Sequence, residues 1–249
     1  MIKFFRKIRQ KLLSENKPAS PAGRFSKYLI YAIGEIILVV IGILIALQVN
    51  NRNVSRINNQ KQNKTLNLIQ KSLIKDTLYM SLLINRLGKV NKSISILNTF
   101  PAYEDSLSVH FDRIDWGINV QIQSAAYEQL KSTGFDLLQN DALKEELINS
   151  YEMIFNHERE LIDIELVYLN QNWVRSFMLE NFNYIESDST LTSFITIPKN
   201  YELLISNPDY KNLILYKRKI NLTILFRLNK IKQTASELIK DIEKNKNKG

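Results

Sequence analysis

The sequence predicts an all-α protein in which a single N-terminal transmembrane helix is followed by an extended antiparallel helical bundle. The chain of 249 residues holds only 7 Gly and 5 Pro, so residues that break long helices are scarce. One long apolar run fills residues 28–49, and further along the chain apolar residues recur at alternating steps of three and four. We therefore expect a basic amphipathic cytoplasmic segment and linker at 1–27, the transmembrane helix at 28–49 and the bundle domain at 50–249, outside the membrane.

The first residues, MIKFFRKIRQKLL, place Phe5, Ile8 and Leu12 at helical spacing. Basic side chains surround this apolar row: Lys3, Arg6, Lys7, Arg9 and Lys11. A helix of this kind lies on an anionic membrane surface, with its apolar face toward the lipid. A disordered basic tail that serves only as a topology signal explains the same residues.

The apolar run is long enough to cross a bilayer. At about 1.5 Å per residue, residues 28–49 form a helix of about 33 Å, which matches a hydrocarbon core of about 30 Å. Glu35 is its one carboxylate, and a charge there costs roughly 3 kcal/mol at most, less than the Ile, Leu and Val side chains of 36–47 contribute together. A cleaved signal peptide has a shorter apolar core and a small-residue cleavage site that ALQVNN lacks. The remaining alternative is a buried helix of a soluble protein.

Basic charge flanks the apolar run on both sides. Residues 1–27 carry 8 basic residues and 1 acidic residue, and residues 50–99 carry 9 basic residues and 1 acidic residue. Residues 100–249 carry 17 basic and 22 acidic residues, a net charge of −5. This pattern favours a lipid bilayer as partner and not a nucleic acid. The positive-inside rule predicts a cytoplasmic N-terminus and a periplasmic C-terminal domain, in a bacterial inner membrane.

Small residues define one face of the predicted transmembrane helix. Gly34, Gly42 and Ala46 are separated by multiples of four, and Gly42 and Ala46 form a small-xxx-small pair that lets two helices approach closely. Glu35 borders this face. We expect Glu35 to pair with a polar group on another helix, in a homo-oligomer or a separate membrane partner protein. In the alternative interpretation, Glu35 extends toward the nearby interface.

A heptad follows the apolar run and predicts one long helix with a coiled-coil seam, continuous with the membrane helix and ending before Pro101. Only Asp76 is polar among its seam positions, which are Leu66, Ile69, Leu73, Asp76, Met80, Leu83, Leu87, Val90, Ile94 and Leu97. Short helices are then predicted within 104–117 and from the Ser124 cap to Gly134. From the Asn140 cap we expect a helix of about 40 residues, ended by a polar stretch near 186–199.

The last predicted helix starts at SNPDYKNLI, with Asn207 as its cap and Pro208 at its first position. Its seam positions are Ile231, Ala235, Leu238 and Ile242. Long helices joined by short pieces pack best as an antiparallel bundle.

Residues that carry common chemistry are scarce. The chain has no Cys and only two His, at 110 and 157, and both are interpreted as surface residues. Position 161 is Leu, so the HERE stretch lacks the second His of a zinc-protease motif. No Gly-rich phosphate loop and no nucleophile elbow occur in the sequence. We therefore predict a non-enzymatic protein without catalytic, metal-binding or cofactor-binding residues.

The segments MIKFFRKIRQKLL, GEIILVVIGILIALQVNN and AAYEQLKSTGFDLLQNDALKEELINSYE resemble an uncharacterised family of bacterial single-span membrane proteins, a domain of unknown function. The resemblance is strong over residues 1–51 and fair through residue 155. The family usually has Trp where this chain has Arg52, so an interfacial aromatic anchor is missing there. The resemblance implies a membrane-anchored helical protein and no catalytic residue.

These observations predict a membrane-anchored helical interaction or scaffold protein. The alternative is a ligand-sensing helical module that signals through a partner membrane protein, since no transmitter domain is evident in the 27 residues before the span. An envelope enzyme would need a site that the sequence does not show.

Overall fold

The computed structural model describes residues 21–169, 173–186 and 194–246, and it is mostly helical. The chain divides into two compact units between Asn58 and Asn59. The first unit contains the apolar run, and the second contains the buried core.

Helix α1 (Pro21–Leu97) is the longest element. Every predicted seam position from Leu66 to Leu97 is buried, and Asp76 is buried with them. The prediction of one helix that continues from the apolar run and ends before Pro101 is confirmed. Phe100 adopts a positive φ of 47° after the helix end, and its ring packs edge-on against Tyr210.

The chain returns along the core through short elements. A 3₁₀ turn (Asp105–Leu107) leads into α2 (Ser108–Ile114), and a segment without regular structure at 116–124 leads into α3 (Ala125–Thr133). Both predicted short helices are confirmed. Gly134 ends α3 with a φ of +101°, a conformation that favours glycine, whereas the Ser124 side chain makes no capping hydrogen bond.

The helix of about 40 residues that was predicted after Asn140 is confirmed over the described residues, since the chain is helical over 141–169 and again over 173–181, but part of it is a π-helix. Three helical segments follow one another: α4 (Asp141–Ile148), a π-helix (Asn149–Phe155) and α5 (Asn156–Leu169). Asn140 is the cap, as predicted, and its Oδ1 accepts a hydrogen bond from Leu143 N at 3.2 Å. The π-helix buries Ser150, Tyr151 and Phe155.

The all-α prediction is wrong at one place. After α6 (Arg175–Asn181), strands β1 (Phe182–Glu186) and β2 (Phe194–Pro198) pair antiparallel, with Phe182 opposite Pro198. Aromatic and β-branched residues fill both strands, and these residues favour a pleated, half-buried surface. Thr196 is buried, and β2 packs on α2. Part of the predicted polar break near 186–199 lies outside the described residues.

A short helix that was not predicted, α7 (Tyr201–Ser206), precedes α8 (Pro208–Lys246). The start of α8 is confirmed, since Asp209 N donates to Asn207 Oδ1 at 2.8 Å and Pro208 occupies the first position. Its predicted seam is also confirmed, because Ile231, Ala235, Leu238 and Ile242 are all buried.

Helix α8 runs antiparallel to both other long segments of the core. Against α1, Gln70 Nε2 donates to Glu243 Oε1 at 2.8 Å, and Asn221 Nδ2 donates to Asn91 Oδ1 at 3.2 Å. Against α4 and α5, Asn140 meets Asn245, and Arg227 meets Glu158. The antiparallel arrangement is therefore confirmed for α8.

Helices α1 and α4 run parallel to each other, which the predicted antiparallel bundle did not include. Gln139 N, just before α4, donates to Gln62 Oε1 at 2.9 Å, and Tyr151 lies close to Asp76 further along both segments. The parallel pairing follows from the connection, because α2, residues 116–124 and α3 carry the chain back before α4 begins.

Candidate functional site

Helix α1 contains a stretch that is long and apolar enough to span a membrane. Its most apolar window of 18 residues has a mean hydropathy of 2.6, and none of that window is buried. Side chains on all sides of the helix are exposed, among them Ile36, Val39, Ile43 and Leu47. A helix that is apolar all round requires cover from lipid or from protein. The described part of the chain does not provide that cover.

The predicted packing face lies open. Glu35, Gly42 and Ala46 are exposed and Gly34 is half-buried. A Cβ atom added at Gly34 or at Gly42 would meet no atom within 4 Å, so the described residues leave room for a second helix on this face. The packing role of these residues stays a prediction.

The predicted membrane-surface residues, which are Lys3, Arg6, Lys7, Arg9 and Lys11, lie outside the described residues. Their role in membrane binding stays a prediction.

The two histidines differ in their surroundings. His157 is exposed, as predicted, but His110 is half-buried, and its Nδ1 lies 3.0 Å from Ser93 Oγ. Burial and the charges of Arg113 and Lys92 hold the pKa of His110 below its ordinary value. In the described part of the chain, no group of three or more His, Cys, Asp or Glu residues could hold a metal ion.

Polar side chains of α1 bind the backbone of the 116–124 segment. Asp76 accepts a hydrogen bond from Gln123 N, with both carboxylate oxygens at 3.2 Å. Tyr79 Oη donates to Asn119 O at 2.6 Å, and Arg86 Nε donates to the Gly117 carbonyl at 3.0 Å. We call residues 116–124 the strap. The strap lacks regular structure, so these side chains bind backbone groups that no strand or helix pairs, and the one to Gln123 N is partly buried.

Asp76 is the polar exception in the seam, and the strap explains its presence. Its side chain is buried, and burial raises its pKa to about 6, while the hydrogen bond from Gln123 N limits the rise. The charge of Asp76 also contributes to a raised pKa of Tyr151, after the larger effect of burial. Tyr151 Oη is buried and has no hydrogen-bond partner among the described residues.

Tyr151 belongs to an aromatic layer that joins α3 to the π-helix. The rings of Tyr127 and Tyr151 stack with centroids 4.3 Å apart and an interplanar angle of 3°. Tyr127 Oη donates to Glu152 Oε1 at 3.0 Å, and Lys131 Nζ lies 2.6 Å from the same oxygen. The π-helix thus places one tyrosine in the core and the next residue, a glutamate, where it can bind Tyr127.

Helix α8 contributes one further charged group that is buried. Lys217 is fully buried, and its Nζ donates to Trp116 O at 3.3 Å. Burial lowers the pKa of Lys217 to about 8, and Asp115 limits the decrease. Lys217 therefore ties the start of the strap to α8.

Glu158 joins α5 to α8 through two ion pairs. Its Oε2 lies 2.9 Å from Arg227 Nη1, and its Oε1 lies 2.6 Å from Lys230 Nζ. Burial raises the pKa of Glu158, but the hydrogen bonds from Lys230 and Arg227 outweigh it and keep the pKa below its ordinary value.

The sequence indicated one of these buried polar groups in advance. Asp76 stood out as the polar residue in an apolar seam, whereas nothing in the sequence indicated the ring stack of Tyr151 or the burial of Lys217. An aromatic residue in a helix suggests core packing, and a lysine in a basic helix suggests a solvated face. The tertiary contacts that bury both groups are not encoded by spacing along the chain.

Comparison with protein-family models, with curated proteins and with solved structures finds no match to this chain.

Proposed function

We propose that this chain is a membrane-anchored helical interaction or scaffold protein without enzymatic activity. One observation carries the proposal: the most apolar window of α1 is long enough to span a bilayer, and none of it is buried. A soluble protein would leave this surface in water, at a cost of about 25 cal/mol for each Å² of apolar area. Insertion into lipid removes that cost.

The N-terminus is cytoplasmic in this proposal, and the helical domain lies on the far side of the membrane, in the periplasm of a two-membrane bacterium. The support is the distribution of charge, with 8 basic residues in the first 27. In this arrangement, Lys3, Arg6, Lys7, Arg9 and Lys11 lie at the anionic inner leaflet.

Within the membrane, the face of Gly34, Gly42 and Ala46 accepts a second helix, and Glu35 pairs with a polar group of that helix. The open space beside both glycines supports this role. The partner is a second copy or a separate membrane protein.

Cysteine labelling tests the topology, because the natural chain has no cysteine. Ala142 is exposed at the start of α4, and Ser20 precedes the apolar run. In intact cells, a thiol reagent that enters only the periplasm should label Ala142→Cys and spare Ser20→Cys. After lysis it should label both variants. Labelling of Ser20→Cys alone in intact cells would indicate the opposite topology. Recovery of the protein in the soluble fraction would refute insertion.

Crosslinking tests the packing face. Glu35→Gln should lower the yield of crosslinked complex in membranes without reducing insertion. Glu15→Gln, which lies outside the apolar run, is the matched control and should leave the yield unchanged. An unchanged yield for Glu35→Gln would count against the pairing of Glu35.

Ligand sensing is the second candidate function, and the buried hydroxyl of Tyr151, which has no hydrogen-bond partner among the described residues, favours it. A ligand that binds the folded state raises its melting temperature. A thermal-shift screen of small polar molecules, with Tyr151→Phe as the control, would detect such a ligand. A screen without hits would leave the interaction role as the better account.

A further inference from the structure

The outward face of α8 carries an apolar row that no described residue covers. Leu215, Leu222 and Phe226 are separated by seven and four residues, so they share one face of the helix. Their exposed fractions are 52%, 53% and 70%. This face is opposite the buried seam of α8, so it points away from the core.

The same face of α8 is positively charged. Residues 210–236 contain seven Lys or Arg and no acidic residue, and of the seven only Lys217 is buried in the core. Arg227 and Lys230 are paired with Glu158 inside the chain. Arg218 and Lys219 are exposed beside the apolar row and form no ion pair among the described residues. They remain available to a negatively charged partner.

Helix α5 presents the complementary surface. Glu160, Asp163 and Ile164 are exposed together on its outward face, and Ile164 has an exposed fraction of 57%. Neither carboxylate forms an ion pair within the described residues. On α5 an exposed apolar side chain lies beside two acids that form no ion pair, and on α8 the apolar row lies between two bases that form none.

The acidic surface of α5 and the basic surface of α8 lie at the same level along the axis of the helix pair. Asn140 contacts Asn245 and Glu158 contacts Arg227, so the residue numbers of antiparallel partners sum to nearly the same value along the pair. By this register, Ile164 lies level with Leu222. The acidic and the basic surfaces are therefore neighbours on the outside of one helix pair.

We propose that α5 of one copy packs against α8 of a second copy, around a two-fold axis that runs along the helix pair. Such an axis brings residues at the same level along the helix pair together, so Ile164 meets Leu222 and Phe226 twice. Asp163 of each copy then lies within about one helical turn of Arg218 and Lys219 of the other, and Glu160 adds to the negative charge of the same face. The inference rests on the proposed interaction role and names its partner, a second copy of this chain.

Charge complementarity selects this face over another exposed apolar row. Ile74, Leu78 and Leu82 are exposed on α1, but the charged side chains beside them, Lys71 and Lys75, are both basic. Two copies that met through that row would repel each other. The α5 and α8 faces, in contrast, supply both signs from one chain.

Disulfide crosslinking between differently tagged copies tests the interface. The full-length chain with Ile164→Cys carries one tag, the full-length chain with Leu222→Cys carries another, and both are expressed in the same membranes. The inference predicts a disulfide-linked product that carries both tags. Leu78→Cys on α1, where the exposed fraction is 63% against 53% for Leu222, replaces Leu222→Cys in the control pair. A yield no greater than that of the control pair would overturn the proposal.

Charge reversal makes the test specific. Glu160→Lys with Asp163→Lys, placed in both copies, should reduce the crosslinked yield about fivefold, and Arg218→Glu with Lys219→Glu should do the same. A mixture of one acidic-face variant with one basic-face variant restores attraction at both contacts and should restore the yield. Lys71→Glu with Lys89→Glu is the control, with exposed charges elsewhere. Absence of recovery in the mixture would overturn the proposal.

The two proposals fail separately. If Ala142→Cys is labelled in the periplasm and the disulfide between Ile164→Cys and Leu222→Cys does not form, only the proposed interface is refuted. If the product forms and Ala142→Cys is labelled only after lysis, the interface stands and the proposed topology falls.

Discussion

Replacement of Asp76 by Asn tests the account of the strap. The folded state raises the pKa of Asp76 from 3.8 to about 6, because burial disfavours the charged carboxylate. The folded protein therefore prefers the protonated form, and ionisation lowers the free energy of unfolding. This loss is complete above pH 6 and disappears as the pH falls through 6 toward 4.

The size of the change in the free energy of unfolding follows from the shift in the pKa of Asp76. The full change in pKa corresponds to about 3 kcal/mol. The strap that covers Asp76 is itself partly exposed, so solvent screening reduces this to about 1.5 kcal/mol. Asn keeps one oxygen that can accept the hydrogen bond from Gln123 N and carries no charge. We expect Asp76→Asn to be more stable than the natural protein by about 1.5 kcal/mol at pH 8 and equally stable near pH 4.

Chemical unfolding of the full chain in detergent, followed by circular dichroism between pH 4 and pH 8, measures this difference. Asp76→Leu is the control, because it removes the charge and also the acceptor for Gln123 N. It should be less stable than Asp76→Asn by about 1–3 kcal/mol at every pH. A difference between Asp76→Asn and the natural protein that does not change with pH would refute the assignment of a raised pKa to Asp76.

Further variants probe the other buried polar groups, each measured by the same unfolding assay. Tyr151→Phe should be as stable as the natural protein or more stable by up to about 1 kcal/mol, because the hydroxyl has no partner among the described residues. A clear loss of stability would show that the hydroxyl does form a hydrogen bond. Glu158→Ala should cost about 3 kcal/mol at pH 7, because Arg227 and Lys230 lose their partner, and the cost should shrink as the pH falls through the lowered pKa of Glu158. Lys217→Met should raise the free energy of unfolding by about 1–2 kcal/mol at pH 7, because burial lowers the pKa of the lysine to about 8 and so disfavours its charged form. This gain should decrease as the pH rises from 8 toward 10, and a gain independent of pH would contradict the lowered pKa.

The elements that sequence reasoning predicted well are those with local signals. The seam of α1 repeats with a strict alternation of three and four, and the Asn207–Pro208 start of α8 combines a cap with a residue favoured at the first position. Hydrophobic period and capping chemistry depend only on neighbours in sequence. The structure confirms both.

The elements that were missed depend on tertiary contacts. FNYIE and FITIP are each too short for their alternation to stand out, and they become strands only because they pair with each other and pack on α2. The π-helix at Asn149–Phe155 has no sequence signature, and it holds Tyr151, whose ring stacks on Tyr127 of another helix. The buried Lys217 was likewise hidden in a helix rich in basic residues.

The polar groups of the core explain how an apolar seam specifies one register. A seam that repeats every seven residues buries similar area after a shift of one heptad, so apolar contacts alone discriminate poorly between registers. Asp76 meets Gln123 N, and Asn221 meets Asn91, at fixed positions along α1. A shift of one heptad would leave these buried groups without partners, at about 1–3 kcal/mol each. The charge of Asp76 lowers stability above pH 6, and its acceptor oxygen selects the register; Asp76→Asn separates the two roles because it keeps the oxygen and loses the charge.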